Sequence, residues 1–333
     1  MQTMDTSTQN TLTYEEAFRM QTRVLQGSAS LHEILALFAT VGSLPGLPAF
    51  HGIYHASEKA MVPVSYSEDT LDTCGTGGDG MHTFNISTAS ALVCAAAGVP
   101  VAKHGNRSTG GSCGSADVLE ALGVKISLEP EEVVRCIAQC GIGFMFAPAY
   151  HPAFAHAREA RKEFGTRTYF NFLGPLLNPA NSAYRVLGVA QPEIADVMGK
   201  ILLASGVKKA WLLHGDGLDE ISPCGPTQVK EFAPNSAVKT FTIDPREYGF
   251  KLYDIEDIKG GDTEFNARVI KDILGDQGSP AQMAAVVLNA AAGLTVYGNV
   301  KTYAEGIERA QEVLKNGSAQ ATLSKLISIS NEV

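Results

Sequence analysis

The sequence lacks the features that mark a secreted or a nucleic-acid-binding protein. Its six cysteines include no CxxC pair, so we expect free thiols in a reducing compartment rather than a disulfide framework. The formal net charge is -9, whereas a general nucleic-acid binder needs a broad basic surface. The charge does not exclude binding of small phosphorylated ligands, because such ligands need only a local group of cations and backbone N–H groups.

Long apolar runs and targeting signals are also scarce. The apolar stretch near 91–102 is about half of the roughly 20 residues that a bilayer requires. Residues 1–11 are polar and lack the pattern of a signal peptide. With 45% hydrophobic and 18% charged residues, the composition is that of a globular protein. We therefore expect a soluble, cytoplasmic protein without membrane or nucleic-acid partners.

The first 65 residues are predicted to be helical. Thr13 with Glu16, and Ser30 with Glu33, have the spacing of a capping box, and each pair precedes a periodic apolar run. A proline-containing segment at 45–48 is expected to break the helical pattern. This part of the chain therefore predicts a small helical domain.

From residue 71 onwards, short apolar runs alternate with helical segments. Such alternation predicts a mostly parallel sheet covered by helices, and hence an α/β fold class with a larger second domain. The expected strands are 99–102, 143–146, 185–189 and 209–213. The expected helices are 85–97, 150–167 and one that begins at Ser279 and Pro280.

A glycine-rich segment at 72–80 is the first candidate binding loop. Its glycines allow the backbone to turn sharply, so that consecutive N–H groups can converge on one anion. Three of them match the GxGxxG pattern of dinucleotide sites, but residues 81–84 separate them from the next helix, which disfavours that interpretation. The helix expected at Asn85 would present free N–H groups to a phosphate. The alternative is a tight turn followed by an ordinary helix cap.

A second polar loop, 103–115, follows the next predicted strand. Lys103 and Arg107 suit a pyrophosphate, the lysine as a point charge and the arginine through its fork of donors. A solvent-exposed surface loop is the alternative. Residues 110–114 match the GxSxG pattern of hydrolases, but a long polar run separates them from the strand that a nucleophile elbow requires.

An acidic turn at 214–222 supplies candidate metal ligands. Asp219 and Glu220 are adjacent, and Mg²⁺ prefers hard oxygen ligands that it shares with a substrate phosphate. A solvated acidic turn is the alternative. His51 and His55 have the spacing of one helix face, but no third ligand accompanies them, so a solvated helix face is favoured.

These motifs occur together in one known family. The stretches concerned are DTCGTGGDG (72–80), TFNISTAS (83–90), VAKHGNRS (101–108), GSADVLEALG (114–123), GIGFMFAPAYHPA (141–153), GTRTYFNFLGPLLNP (165–179), HGDGLDEIS (214–222) and GPT (225–227). In this order they closely resemble the anthranilate phosphoribosyltransferase family. The resemblance implies a glycosyltransferase of tryptophan biosynthesis. It would transfer the phosphoribosyl group of 5-phosphoribosyl 1-pyrophosphate to the amine of anthranilate, giving N-(5-phosphoribosyl)anthranilate and pyrophosphate.

The same resemblance implies the nucleoside phosphorylase-like phosphoribosyltransferase fold. Its helical domain would comprise residues 1–65, completed by a segment near 163–184. Its α/β domain, which binds phosphoribosyl pyrophosphate, would comprise residues 66–162 and 185–333. Members of the family usually pair through the helical part, so a homodimer is expected. Closure of the helical domain over the larger one would exclude water from the reaction.

The resemblance also assigns roles to individual residues. Lys103, Arg107 and Asp79 would act in catalysis. Phosphoribosyl pyrophosphate would be held by Gly75, Gly78, Asp79, Thr83, Asn85, Ser87, Thr88, Lys103, His104, Gly105, Asn106, Arg107, Ser108, Thr109, Gly110, Gly111 and Ser115. Anthranilate would be held by Gly75, His104, Asn106, Pro148, Tyr150 and Arg161. Mg²⁺, expected as two ions, would be bound by Ser87, Asp219 and Glu220.

Some positions depart from the family's usual pattern. Gly110 and Gly111 stand where serine is usual, Glu159 stands where proline is common, and the 45–48 segment differs from the usual helix pair. Three alternatives accompany the main interpretation: transfer to another aromatic amine, a pyrimidine nucleoside phosphorylase that uses free phosphate, and a non-catalytic relative that binds nucleic acid. The acidic pair disfavours the second, and the intact glycine loop and negative charge disfavour the third.

Overall fold

The computed structural model describes residues 12–108 and 113–332. The strands are β1 (Leu71–Gly75), β2 (Val101–Gly105), β3 (Ile142–Phe146), β4 (Tyr184–Gly188), β5 (Lys209–His214), β6 (Thr227–Phe232) and β7 (Lys239–Ile243). They form one seven-stranded sheet in the order β3-β2-β1-β4-β5-β6-β7. The strands β1 to β5 pair in parallel, whereas β6 and β7 are antiparallel additions at one edge. The predicted α/β class with a mostly parallel sheet is confirmed.

The helices surround this sheet and extend beyond it at one end. They are α1 (Tyr14–Leu25), α2 (Leu31–Val41), α3 (Leu47–Glu58), α4 (Ile86–Ala96), α5 (Ser115–Ala121), α6 (Pro130–Cys140), α7 (Ala147–Tyr150), α8 (Arg158–Phe164), α9 (Phe170–Leu176), α10 (Ala195–Ala204), α11 (Thr263–Leu274), α12 (Pro280–Tyr297), α13 (Tyr303–Lys315) and α14 (Ser318–Asn331). The capping boxes predicted at Thr13 and Ser30 are both present, with Glu16 and Glu33 as partners. Two backbone N–H groups at each helix start are thereby satisfied.

The sheet reverses its direction of growth at β1, which lies between β2 and β4. The loops that follow β1 and β4 therefore diverge at the carboxyl edge of the sheet and leave a crevice, which is the usual ligand position in open α/β folds. The last residues of these two strands, Gly75 and Gly188, are direct neighbours in the register. The fold thus places the predicted glycine loop at the mouth of the crevice.

The helical part of the molecule is built from two distant segments of the chain. The ring of Phe38 on α2 contacts the rings of Phe164, Tyr169 and Phe170, with centroid distances of 5.6 to 5.7 Å. The buried hydroxyl of Tyr169 donates a hydrogen bond to Oε1 of Gln21 at 2.8 Å, across 148 residues of sequence. Segment α8–α9 therefore packs with α1–α3 in one hydrophobic cluster. The domain boundaries remain a prediction.

Helix α12 is the central helix of the larger core. It begins at Ser279 with a capping box and Pro280 in its first turn, as the sequence predicts. Among the described residues it is the one helix long and apolar enough to cross a membrane, and 72% of it is buried inside the fold, mainly against α4 and α13. Burial of this kind is typical of a core helix, and a core helix can be as long and as apolar as a membrane-spanning one.

One local prediction was wrong, and three strands were missed. Segment 150–167 is not one helix: α7 ends at Tyr150, Pro152 opens a short 3₁₀ helix, and α8 begins at Arg158. Segment 45–48 interrupts the helical pattern as predicted: α2 ends at Val41, and α3 begins at Leu47 with a proline in its first turn. Strands β1, β6 and β7 were not predicted, because polar residues interrupt their apolar pattern.

Candidate active site

A cavity of about 620 Å³ opens at the carboxyl edge of the sheet, where the crevice was expected. Among the residues assigned from the sequence, those that line it are Gly75, Gly78, Asp79, Thr83, Asn85, Ser87, Thr88, Lys103, His104, Gly105, Asn106, Arg107, Ser108, Ser115, Asp219 and Glu220. The two polar loops and the acidic turn, which lie far apart in sequence, therefore face one space. Its volume suits a ligand the size of a sugar phosphate with a second small molecule.

The glycine loop after β1 is held in a tight, left-handed path. Gly77, Gly78 and Gly80 have φ angles of 65°, 70° and 76°, a region that residues with a side chain rarely adopt. The backbone N–H of Gly77 donates to Oδ2 of Asp219 at 2.6 Å. Asp79 closes the same loop by accepting from the N–H of Met81 at 3.0 Å. The loop is therefore fixed against the acidic turn across the cavity.

Helix α4 points its amino terminus at the cavity. The side chain of Asn85, at its cap position, makes no hydrogen bond to the helix. Instead it donates to the carbonyl of Cys113 at 3.1 Å and accepts from Asn266 at 3.1 Å. The buried Oγ1 of Thr88 has no hydrogen-bond partner within the described residues. An unused hydroxyl at a helix amino terminus, where the helix dipole favours negative charge, is suited to a phosphate.

Lys103 lies deep in the cavity wall and is almost completely buried. Its Nζ donates to the carbonyl of Thr73 at 2.7 Å and lies 3.4 Å from Oγ of Ser87. Burial lowers the pKa of Lys103, while the charges of Asp72 and Glu220 act in the opposite direction. The ammonium group is thus placed at the base of the site, next to the acidic turn.

Arg107 has a different environment from the one its predicted role suggests. Its guanidinium donates to Asp117 at 2.9 Å and to Glu120 at 2.8 and 3.1 Å, and it stacks over the ring of Phe146. These hydrogen bonds, first to Glu120 and then to Asp117, raise the pKa of Arg107. In this conformation the guanidinium of Arg107 is paired with the carboxylates of α5. Its role with a substrate remains a prediction.

The acidic turn places two half-buried carboxylates beside Lys103. Burial raises the pKa of Asp219 to about 6, with the charge of Asp79 adding to the effect. Burial also raises the pKa of Glu220 well above its ordinary value. Two carboxylates that resist ionisation without a counter-charge fit a divalent cation, which would stabilise their charged forms.

The number of ligands in this turn suits Mg²⁺ bound together with a substrate. Among residues 12–108 and 113–332, no group of three or more His, Cys, Asp or Glu side chains has the geometry of a metal site. Mg²⁺ commonly uses only one or two carboxylates and takes its other ligands from water and phosphate oxygens. The residues present therefore fit a magnesium ion that is completed by the substrate.

A buried ion pair supports the cavity from behind. Asp72 on β1 contacts Nη1 of Arg185 on β4 at 2.9 Å, and both side chains are nearly inaccessible. The other carboxylate oxygen accepts from the backbone N–H of His104 on β2 at 3.4 Å. One side chain thus links the three strands whose ends form the site.

The sequence of this chain matches the glycosyl transferase family, a/b domain, over residues 67–320. The anthranilate phosphoribosyltransferase of Myxococcus xanthus is 44% identical over 320 residues, covering 95% of this chain and 94% of that protein. The anthranilate phosphoribosyltransferase of Alkaliphilus metalliredigens is 48% identical over 277 residues, covering 83% and 81%. The chain belongs to the anthranilate phosphoribosyltransferase family. The resemblance carried by the sequence motifs is thereby confirmed.

Solved structures of the anthranilate phosphoribosyltransferase family have the same fold. The enzyme of Thermus thermophilus superposes with a TM-score of 0.91 at 37% identity, covering 97% of both chains. The enzyme of Saccharomyces cerevisiae, solved in complex with phosphoribosyl pyrophosphate and Mg, superposes with a TM-score of 0.86 at 25% identity, covering 96% of this chain and 93% of that chain. This similarity confirms the predicted fold class of the family.

Some residues assigned to anthranilate from the family resemblance do not line the cavity. Pro148 and Tyr150 lie on α7, and the buried hydroxyl of Tyr150 donates to the carbonyl of Leu128 at 2.7 Å. The guanidinium of Arg161 stacks over the ring of Phe170, 5.3 Å from its centroid. Their assignment remains a prediction. Three residues assigned to phosphoribosyl pyrophosphate, Thr109, Gly110 and Gly111, lie outside the described residues.

Two lining residues, unlike the others, lie outside segments 72–90, 103–115 and 214–222. Arg167 lies in the connection between α8 and α9, Asn171 lies in the first turn of α9, and both face the cavity from the helical side. Both lie within the quoted stretch 165–179, but that stretch was used only to support the resemblance. A charged residue beside a glycine and ahead of a buried aromatic run was the available signal.

Proposed function

We propose that this protein transfers the phosphoribosyl group of 5-phosphoribosyl 1-pyrophosphate to the amine of anthranilate, as a step of tryptophan biosynthesis. The observation that carries the proposal is one cavity that combines a glycine loop, a helix amino terminus with an unpaired Thr88 hydroxyl and a half-buried acidic pair. Two findings on relatives support it. Those at 44% and 48% identity are named for this reaction, and one solved relative is described with phosphoribosyl pyrophosphate and Mg.

The phosphorylated substrate would lie between the glycine loop and the start of α4. The 5-phosphate or pyrophosphate would accept hydrogen bonds from the backbone of Gly78, from the helix amino terminus, and from the hydroxyls of Ser87 and Thr88. Lys103 would supply positive charge at the base of the site. These groups are already in place around the cavity, so they need little rearrangement to stabilise charge on a leaving pyrophosphate.

Mg²⁺, as two ions, would be held by Ser87, Asp219 and Glu220 together with substrate oxygens. When bound, the metal would neutralise charge on the pyrophosphate and so make it a better leaving group. The carboxylates of this chain would fix the position of that charge, because the Gly77 peptide and the carboxylate of Asp219 are hydrogen-bonded to each other.

For the acceptor amine to react, the protein needs mainly to position it. The bond from the anomeric carbon to pyrophosphate breaks with its electron pair on oxygen, a carbon–nitrogen bond forms, and the amine loses one proton. An aryl amine is neutral at pH 7, so no strong general base is needed. The site fits this requirement, because burial lowers the pKa of both His104 and His151 to about 3 and leaves them neutral. Orientation of the amine would supply most of the rate enhancement.

The acceptor would bind at the helical side of the cavity. Gly75, His104 and Asn106 line that space, and Arg161 belongs to the helical cluster that borders it. The helical part is proposed as residues 1–65 with the segment near 163–184, and helix α8, which carries Arg161, packs with it. Its closure would bring Arg161 towards the acceptor carboxylate and exclude water. A variant cross-linked in an open state that kept full turnover would contradict this closure. We also propose a homodimer and a cytoplasmic location.

The function is tested by the fluorescence of anthranilate. We expect it to fall when phosphoribosyl pyrophosphate and Mg²⁺ are added, and to stay constant when a chelator is present. An Arg161→Ala variant should require more anthranilate for half-maximal rate, whereas the matched variant Arg158→Ala, on the exposed face of the same helix, should behave as the wild type. A folded protein that consumes no anthranilate under these conditions contradicts the acceptor assignment, and other aromatic amines would then be screened.

A further inference from the structure

Arg167 reaches into the cavity from the helical side and touches the glycine loop. Its Nη2 donates to the carbonyl of Gly77 at 2.9 Å. The guanidinium also fills the space above Gly78, so that a Cβ atom at that glycine would overlap it. The side chain lies in the short connection after Gly165, the residue that caps the end of α8.

The charges around the cavity distinguish Arg167 from the other cations. Three lysine or arginine side chains line the cavity within the described part of the chain: Lys103, Arg107 and Arg167. The ammonium of Lys103 is buried and donates to a backbone carbonyl, and the guanidinium of Arg107 is paired with two carboxylates. Over residues 12–108 and 113–332, no carboxylate lies within ion-pairing distance of Arg167.

Arg167 therefore has donors to spare in a site that must bind a polyanion. A guanidinium carries five N–H groups in one plane, and one of those of Arg167 is used by Gly77. The planar fork of an arginine matches two phosphate oxygens at once. A cation without an acidic partner at the edge of a cavity rich in backbone N–H groups is the expected partner of a phosphate.

We propose that Arg167 binds the pyrophosphate of phosphoribosyl pyrophosphate and, through Gly77, positions the glycine loop for it. This inference rests on the proposed function. The neighbours of Arg167 favour the pyrophosphate over the acceptor's carboxylate. The backbone N–H of Gly77 donates to the carboxylate of Asp219, and the backbone carbonyl of Gly77 accepts from Arg167. The guanidinium and the proposed metal ligand thus bind the same residue, where the leaving group would lie.

The position of Arg167 gives this contact a second consequence. Its neighbours Tyr169 and Phe170 are buried against Phe38 in the helical cluster, so the backbone of Arg167 moves with that cluster. A pyrophosphate held between Arg167 and the glycine loop would join the helical part of the molecule to the sheet. Binding of the phosphorylated substrate would then precede, and favour, the arrangement in which the acceptor is enclosed.

The test compares Arg167→Ala and Arg167→Lys with the wild type and with Arg158→Ala, a matched loss of one exposed arginine nearby. Binding of inorganic pyrophosphate in the presence of Mg²⁺ is measured by calorimetry, and the KM values for both substrates are measured by fluorescence. Charged hydrogen bonds of this kind correspond to about a 10- to 100-fold change in affinity. We expect Arg167→Ala to weaken pyrophosphate binding and raise the KM for phosphoribosyl pyrophosphate by that factor. The KM for anthranilate should change by less than about twofold, and lysine should restore part of the loss.

The outcomes separate this inference from the proposed function. Unchanged pyrophosphate affinity in a folded Arg167→Ala variant overturns the inference, even if the wild type consumes anthranilate. A rise in the KM for anthranilate alone also overturns it and assigns Arg167 to the acceptor. If pyrophosphate binding depends on Arg167 but the wild type does not consume anthranilate, the inference is supported and the proposed acceptor is refuted. Thermal unfolding of each variant checks that the fold is retained.

Discussion

The side chain of Asn289 on α12 holds the acidic turn in place. Its Oδ1 accepts from the backbone N–H of Ile221 at 2.9 Å, and its Nδ2 donates to the carbonyl of Ile221 at 2.9 Å and to the carbonyl of Ala285 at 2.9 Å. Both Asn289 and Ile221 are almost inaccessible to solvent. The amide therefore satisfies both backbone groups of the residue that follows Glu220.

Replacing Asn289 by leucine should destabilise the protein substantially. Leucine has the same branched arrangement of side-chain heavy atoms but leaves the N–H and the carbonyl of Ile221 without their partners in a buried position. Each unsatisfied buried group costs about 1–3 kcal/mol, so we expect the two together to lower the free energy of unfolding by about 2–6 kcal/mol. Because the turn loses its anchor beside Glu220, a higher Mg²⁺ concentration should also be needed for half-maximal binding of pyrophosphate.

Urea unfolding measures the first effect, with the fluorescence of the one tryptophan, buried Trp211, as the signal. A matched control on the same helix is Thr295→Val, because the Thr295 hydroxyl only donates to the carbonyl of Ala291 and its loss leaves no N–H unpaired. We expect this control to lose less than about 1 kcal/mol. If Asn289→Leu is no more destabilised than Thr295→Val, the reasoning about the anchored turn is wrong.

Three further predictions follow from the geometry of the site. A Cβ atom at Gly188 would overlap the carbonyl oxygen of Asp219, so Gly188→Ala should displace the acidic turn and weaken Mg²⁺-dependent pyrophosphate binding in calorimetry. Glu120→Gln should loosen the exposed pair with Arg107, worth about 1 kcal/mol at most, and lower the KM for phosphoribosyl pyrophosphate by up to about fivefold. Burial lowers the pKa of His151 to about 3. Since the unfolded chain takes up that proton near pH 6.5, urea midpoints should fall as the pH drops from about 6.5 towards 3, and less steeply in His151→Gln.

Each of these has a clear counter-result. Gly225→Ala, where no atom lies within 4 Å of the added methyl group, is the control for the glycine substitution, and equal pyrophosphate binding by both variants would count against the clash. An unchanged or higher KM in Glu120→Gln would mean that Arg107 does not exchange partners. If the urea midpoint of His151→Gln depends on pH as steeply as that of the wild type, the proton is taken up by a group other than His151.

The binding loops were predictable because their chemistry is local. The cations of the 103–108 stretch follow the predicted strand 99–102, whereas the glycines of 72–80 were recognised by their own density, because the strand before them was not predicted. Parallel strands bring their carboxyl ends together at one edge of a sheet. A sequence pattern that predicts a strand followed by hydrogen-bond donors therefore also predicts where the binding site lies. The acidic pair at Asp219 was found for the same reason, since it follows β5.

Contacts between distant segments were not predictable in this way. The pairing of Arg107 with Glu120, the contact of Arg167 with Gly77 and the anchoring of Ile221 by Asn289 depend on how elements pack, which no local spacing reports. The antiparallel edge strand β6 was missed because it alternates polar and apolar residues, whereas fully buried strands of a parallel sheet read as continuous apolar runs.

The hydrogen bond between Gln21 and Tyr169 has a consequence for how the protein is made. Helices α1–α3 leave the ribosome long before Tyr169 and Phe170, which complete their hydrophobic packing around Phe38. The early segment must therefore wait, partly unpacked, while strands β1–β3 are synthesised between the two halves of its core. Domains that depend on such late contacts fold slowly and expose apolar surface in the meantime. A chain truncated before residue 165 should accordingly aggregate, although it contains the whole of α1–α3.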